Sequence, residues 1–218
     1  MKIDAVIMAK SNMFGKFCVA GIDVYSGRWV RFVSFEDGQP LSDFQLIFIN
    51  SPGTCKILDT AKISIARKIG HSRQNHSEDF MIKYDAWLKL GEMDLSEIIK
   101  IHPPEFHDYI FGNLREYLTL EEIHEYKLNY SLIFIEVENL RIYHERKFYN
   151  EIKPRASFDY NGDYYTQIRI TDPDYDNNNY NDAKNLIIPH AYLVMSMPAK
   201  PLKANGRFYK LIAKIFVS

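Results

Sequence analysis

The chain has 218 residues, with 46% hydrophobic and 14% aromatic side chains, and 27 basic residues against 28 acidic ones. Disordered chains combine low hydrophobicity with high net charge, so this composition predicts a folded protein of one or two domains. The N-terminal residues lack the apolar run of about 7–15 residues that a signal peptide needs, and two distant cysteines cannot form a disulfide framework. We therefore expect a cytoplasmic protein.

Strand signals occupy the first third of the chain. Short runs rich in Val, Ile, Phe and Trp cover residues 2–9, 17–24, 28–35 and 56–69. Turn pairs such as Ser26-Gly27 and Pro52-Gly53 separate them, as is typical of consecutive strands.

The middle of the chain differs in charge and in pattern. Residues 71–130 hold 6 basic and 12 acidic side chains, against 9 and 6 in residues 1–70 and 12 and 10 in residues 131–218. Asp94 precedes one helical pattern, and Thr119 begins a capping box before another. We expect short helices here, interrupted by Pro103-Pro104.

Strand signals return from residue 131 and continue to the C-terminus. Asn161-Gly162 lies between two alternating runs, which predicts a tight β-hairpin. The pattern indicates a mainly β protein with a short helical insert (α+β), built from two OB-like five-stranded barrels. Its expected domains are a first barrel over 1–75, an acidic helical connector over 76–130 and a second barrel over 131–218. One large sandwich is the structural alternative.

Segments at both ends of the chain together resemble the prokaryotic dual OB-containing domain family, in which one chain of about this length carries two OB-like barrels. The resemblance spans both β-rich ends of the chain, in the same order and spacing, and lies in residues 3–11, 17–23, 27–34, 158–165, 170–173, 192–197 and 209–216. OB-folds commonly bind oligonucleotides or oligosaccharides, so the resemblance implies nucleic-acid binding without any established reaction.

The third strand carries the best candidate binding residues. Arg28, Trp29 and Arg31 follow one another closely, and strand alternation places Trp29 and Arg31 on the same face. A Trp beside an Arg can stack a base and neutralise a phosphate. Alternatively, Trp29 belongs to the core and the Arg31 stem packs on it.

In the second barrel, alternation places Tyr165, Gln167 and Arg169 on one polar face. We expect Tyr165 and Arg169 to contact nucleic acid, with a merely solvated strand face as the alternative. The near-zero net charge limits binding to a local patch, because strong non-specific binders are usually basic.

Motifs for other chemistry are incomplete. The histidine pairs 71/76 and 102/107 have the wrong spacing for one helix face, and Asp172, Asp174 and Asp176 lack the Gly and Glu that complete a calcium loop. No phosphate-binding glycine loop or nucleophile motif occurs, and Cys18 suits a packing role. We expect no catalytic residues, no metal site and no cofactor.

The sequence thus predicts a non-catalytic module that binds DNA or RNA, most simply single-stranded, in a bacterial defence or mobile-element context. An adaptor that docks a protein partner through the acidic insert is the alternative function. A metal-dependent nuclease ranks third.

Overall fold

The computed structural model describes residues 1–13, 15–35, 37–69, 75–146, 152–175 and 186–217. The chain divides into two compact units, Met1–Pro103 and Pro104–Ser218. The boundaries expected at residues 75 and 130 differ from this division, because the acidic middle is shared between the units. Within the described part of the chain, every helix is too short or too polar to cross a membrane.

The first unit is a ring of strands. Its strands are β1 Lys2–Met13, β2 Lys16–Asp23, β3 Trp29–Val33, β4 Asp59–Lys68, β5 Asp79–Ile82 and β6 Leu88–Glu92. The hydrogen-bonded order is β1-β2-β3-β5-β4, and antiparallel pairing of β4 with β1 closes the ring. Strand β3 pairs in parallel with β5, while β6 pairs antiparallel with β4. Because β5 begins after residue 75, a first domain ending there would lack its closing strand.

The core of the first ring follows strand alternation. Val19 of β2 and Val30 and Phe32 of β3 are buried together inside the ring. Between Val19 and the end of β2, Gly21 lies so close to β1 that a Cβ there would sit 2.3 Å from the Val6 carbonyl oxygen. Only glycine allows this close approach of two strands.

The second unit repeats the same ring. Its strands are β7 Tyr117–Leu118, β8 Leu132–Arg146, β9 Ile152–Tyr160, β10 Asp163–Ile170, β11 Leu186–Ser196, β12 Phe208–Tyr209 and β13 Leu211–Val217. Strands β10-β13-β11-β8-β9 form a closed barrel, with β10 and β13 parallel. Counted from the first strand of each ring, both units have the order 1-2-3-5-4. Strands β7 and β12 form a separate two-stranded ribbon.

Short helices lie where the acidic stretch predicted them. The α-helices of the described residues are α1 Leu95–Ile101 and α2 Leu120–Glu125. The 3-10 helices Asp43–Leu46 in the first unit and Ile110–Gly112 between α1 and α2 are also present. The Asp94 carboxylate accepts the Glu97 amide at 2.9 Å, and the Thr119 hydroxyl accepts the Glu122 amide at 3.3 Å. Both capping boxes are complete, which confirms these helix starts.

The β9–β10 hairpin confirms the Asn161-Gly162 turn, since both residues have positive φ, 52° and 82°. The expectation that Tyr165, Gln167 and Arg169 share one exposed face of β10 is wrong. Pairing of β10 with β9 shifts register between Tyr165 and Ile168, and Gln167 has φ 61°. This bulge breaks the alternation. Tyr165 is fully buried and stacks on Phe158 instead of lying exposed.

The Tyr165 hydroxyl has a structural partner, since it accepts the buried Ile110 amide at 3.0 Å. Changing Tyr165→Phe leaves that N–H without its acceptor, so we expect unfolding free energy to fall by about 1–3 kcal/mol. Tyr84→Phe is the matched control, because Tyr84 is 68% exposed and we expect a loss below about 0.5 kcal/mol. Urea denaturation measures both, and equal losses would contradict the assigned role of the buried hydroxyl.

Candidate nucleic-acid interface

Arg31 lies in a buried charge network rather than on an open surface. It is 8% exposed, and its guanidinium pairs with Glu78 at 3.3 Å and with Asp79 at 3.4 Å. It also contacts the His76 ring, and its backbone amide donates to the Glu78 carbonyl oxygen at 2.8 Å. The expected exposure of Arg31 is therefore wrong, because the segment entering β5 covers it.

The same network contains a possible set of metal ligands. Ligand atoms of His76, Glu78 and Asp79 lie within 4.8 Å of one another. The Arg31 guanidinium contacts all three side chains, so a metal ion at this place would be repelled by a charge already present. Burial and Arg31 both lower the pKa of His76, which keeps its ring neutral beside that charge.

Trp29 is half-buried on the same strand. Its ring meets His102 edge to face at 5.4 Å, and the His102 Nδ1 lies 2.7 Å from the Gly27 carbonyl oxygen. Arg28 is exposed beside it. Trp29 thus has an intramolecular partner for its ring, and Arg28 is the exposed member of the three candidates from the first barrel.

The two candidate binding residues of the second barrel also differ in exposure. Tyr165 is buried and Arg169 is exposed on β10. The five predicted residues are divided three and two between the units and do not share one exposed face within either. Contact with nucleic acid stays a prediction for Arg28, Trp29 and Arg169, and in the first unit it competes with a groove at the ends of β3 and β5.

An exposed groove in the first unit was missed by the sequence reasoning. Phe35 follows the end of β3 and Tyr84 follows the end of β5, and because these strands are parallel their ends meet at one edge. The two rings are 6.3 Å apart, edge to face, with 51% and 68% exposure. The groove beside them has a volume of about 790 Å³, and its lining includes Ser34, Ala66, Met81 and Lys83.

The groove lining contains one lysine and one aspartate, and two further basic residues follow a lining residue on β4. The lysine is Lys83, and the exposed Arg67 and Lys68 directly follow the lining residue Ala66. Asp37 is the carboxylate in the lining, and it accepts a hydrogen bond from the Gln39 amide at 2.9 Å. The signal that could have found this site is an aromatic residue just beyond each of two strands.

The second unit contains a groove of opposite character. Its volume is about 530 Å³, and its lining carries the carboxylates of Glu105, Glu136, Glu138 and Asp159. His190 lies 2.6 Å from Glu136 at its edge. Four carboxylates repel phosphate, so this groove does not suit nucleic acid.

The remaining histidines and aspartates have structural partners. His107 pairs with Glu105 at 3.1 Å, and Asp172 and Asp174 both pair with Lys214. His71 and Asp176 lie outside the described residues. Burial raises the pKa of the Cys18 thiol and raises that of Cys55 to about 12, so neither is a ready nucleophile near neutral pH.

Lys210 is a buried amine in the second unit. It is 1% exposed, and its Nζ donates to the backbone carbonyl and to the side-chain oxygen of Asn113. Burial, with a smaller contribution from the nearby Arg115, lowers the pKa of Lys210 from 10.5 to about 7. The folded protein therefore carries a largely neutral lysine above neutral pH.

The network assigns Arg31 to stability. Arg31→Ala leaves Glu78 and Asp79 buried without their cation, so we expect a loss of about 3–5 kcal/mol in unfolding free energy. Arg28→Ala removes an exposed charge three residues earlier and should cost below about 0.5 kcal/mol. Urea midpoints compare the two variants. If Arg31→Ala were as stable as Arg28→Ala, the structural role of Arg31 would be wrong and Arg31 would again be a candidate for binding.

Lys210 should make stability depend on pH. At pH values between its folded and unfolded pKa, Lys210 is protonated in the unfolded chain and largely neutral in the folded one. Lys210 alone should therefore raise the free energy of unfolding by about 1.4 kcal/mol for each pH unit of increase. The rise begins near pH 7 and should be absent in Lys210→Met. Denaturant unfolding at pH 7.5 and 8.5 tests this, with the exposed Lys203→Met as control. Equal slopes in all three proteins would mean that Lys210 stays charged.

Comparison with known proteins supplies the family. The model of the dual OB-containing domain matches residues 3–215. A search of curated proteins finds no match. Among solved structures, the Ifi202 HINa domain in complex with 20-base-pair double-stranded DNA is similar at 12% identity and a TM-score of 0.33, over 100% of this chain and 95% of that one. With its two rings of identical strand order, the chain belongs to the dual OB-containing domain family.

Proposed function

We propose that the protein is a non-catalytic nucleic-acid-binding protein and that its first barrel binds single strands at the groove beside Phe35 and Tyr84. The observation that carries this proposal is a pair of exposed aromatic rings, 6.3 Å apart, at the edge of an open groove with a lysine in its lining. Proteins that bind single strands combine such rings with positive charge along the backbone path.

The chemistry of the groove suits bases and phosphates together. Each exposed ring offers a face on which a base can stack, and stacking accepts any base because every base has a π face. Lys83, with Arg67 and Lys68 on the adjoining strand, supplies positive charge for phosphates. A paired duplex would not offer its bases to these rings, so the proposal is for single strands of DNA or RNA.

Family and charge support the same function. OB-folds bind oligonucleotides on one barrel face and its adjoining loops, which is a fold-level expectation. A formal net charge of -1 limits the protein to a local patch, so we expect modest affinity and a shallow salt dependence. The groove is a local patch of this kind.

An adaptor for a protein partner is the alternative function. The groove of the second unit, with Glu105 from the acidic stretch beside Glu136 and Glu138, suits a basic protein surface. This alternative would be favoured if the purified chain bound no nucleic acid at low salt.

Stacking predicts a selective loss on truncation. Phe35→Ala and Tyr84→Ala should each weaken binding of a labelled single strand by about 1–3 kcal/mol, with urea midpoints near that of the wild type. Phe44→Ala is the matched control, because Phe44 is an 84% exposed phenylalanine of the same unit outside the groove. Fluorescence anisotropy with oligo-dT, oligo-U and a duplex of equal length gives the affinities.

Three results of that experiment would contradict the proposal. Equal losses in Phe35→Ala and Phe44→Ala would remove the groove from the binding surface. Tighter binding of the duplex than of either single strand would exclude base stacking as the main interaction. Cleavage of the labelled oligonucleotide in Mg²⁺ or Mn²⁺ would show that the protein is catalytic.

A further inference from the structure

The ribbon of β7 and β12 in the second unit carries a cluster of aromatic and cationic side chains. Tyr117 and Tyr209 are paired across it, with ring centres 5.9 Å apart. The Arg207 guanidinium lies 3.9 Å from the centre of the Tyr117 ring, and that of Arg115 lies 4.9 Å from it. Two guanidinium groups thus share one aromatic ring.

Charge on this ribbon is only partly balanced. Arg115 pairs with Glu122, whereas Arg207 forms no ion pair with any residue that the structure describes. Residues 197–209 contain three basic side chains and no acidic one. Two of them, Lys200 and Lys203, are exposed in the segment leading to Arg207. The segment therefore has a surplus of positive charge.

The position of Arg207 favours an anionic ligand. A guanidinium stacked on a ring uses its flat face, and its N–H donors lie in the plane, where they can hold a phosphate through two parallel hydrogen bonds. Stacking also reduces the rotamer freedom that an exposed arginine would lose on binding. The half-buried ring of Tyr209, next to Tyr117, adds a surface for a base, which an acidic peptide would not need.

We propose that Arg207 and Lys203 on this ribbon form a phosphate-binding contact for single-stranded nucleic acid, separate from the aromatic groove of the first unit. This inference rests on the proposed function, since it assigns a second contact to the same class of ligand. The ligand groups are the phosphates of the strand, and Tyr117 is a positioning residue that holds the Arg207 guanidinium.

The test compares salt dependence among variants of the full chain. Anisotropy titrations with labelled oligo-dT at several salt concentrations should show Arg207→Ala weaker by about fivefold at 0.1 M salt. The same variant should have a salt slope smaller by about 0.7, the contribution of one phosphate in a single strand. Arg207→Lys should keep most of the salt slope. Tyr117→Leu should weaken binding but leave the salt slope unchanged. Arg141→Ala, an exposed arginine on β8, is the control and should stay within twofold.

The outcomes separate this inference from the proposed function. If Phe35→Ala weakens binding and Arg207→Ala leaves both affinity and slope unchanged, the ribbon contact is wrong and the groove stands. If the wild type binds no oligonucleotide, both are overturned. A labelled oligo-glutamate peptide is the second probe, and a ribbon that binds it through Arg207 without affecting oligo-dT is a surface for acidic proteins. Urea midpoints equal to that of the wild type are expected for both Arg207→Ala and Arg207→Lys. A slope retained in the lysine variant and lost in the alanine variant then reflects charge rather than misfolding.

Discussion

In each unit, closure of the ring depends on parallel pairing between its third and fifth strands, and a buried ion pair joins the two strands there. In the first unit, Arg31 of β3 pairs with Asp79 of β5. In the second, Asp172 lies two residues beyond the end of β10 and pairs with Lys214 of β13, while accepting the Ile215 amide at 3.0 Å. The cation therefore comes from the third strand of the ring in the first unit and from the fifth strand in the second unit. Parallel strands cannot be joined by a tight hairpin, so their register needs contacts of this kind between distant segments.

This closure determines which side chains remain for binding. Arg31 supports the β3–β5 junction, so its charge is used within the fold. The chain leaves both strands at the same edge, and Phe35 and Tyr84 therefore lie side by side although 49 positions separate them in the sequence. The binding groove that we propose is thus a consequence of the parallel pairing. In the second unit the corresponding positive charge lies on the ribbon before β13, where Arg207 stacks on Tyr117.

Local signals in the sequence predicted the local structure well. The capping residues Asp94 and Thr119 and the Asn161-Gly162 turn act on neighbouring backbone groups, so short patterns revealed them. Strand periodicity and the family resemblance likewise predicted two barrels. Side-chain environments were harder, because they depend on distant residues. The carboxylates that bury Arg31 lie more than 45 positions away, and a bulge after Tyr165 reverses the face on which the following residues lie.

We propose that nucleic acid binds at the strand ends of the first barrel and not on the Trp29 face of β3. Two-dimensional amide NMR of the full chain, titrated with a short single-stranded oligonucleotide at low salt, tests it most directly. We expect the largest shifts in the first unit at Ser34, Phe35, Lys83 and Tyr84, with little change at Arg28 and Trp29. Shifts concentrated at Arg28 and Trp29, with Phe35 and Tyr84 unmoved, would contradict it.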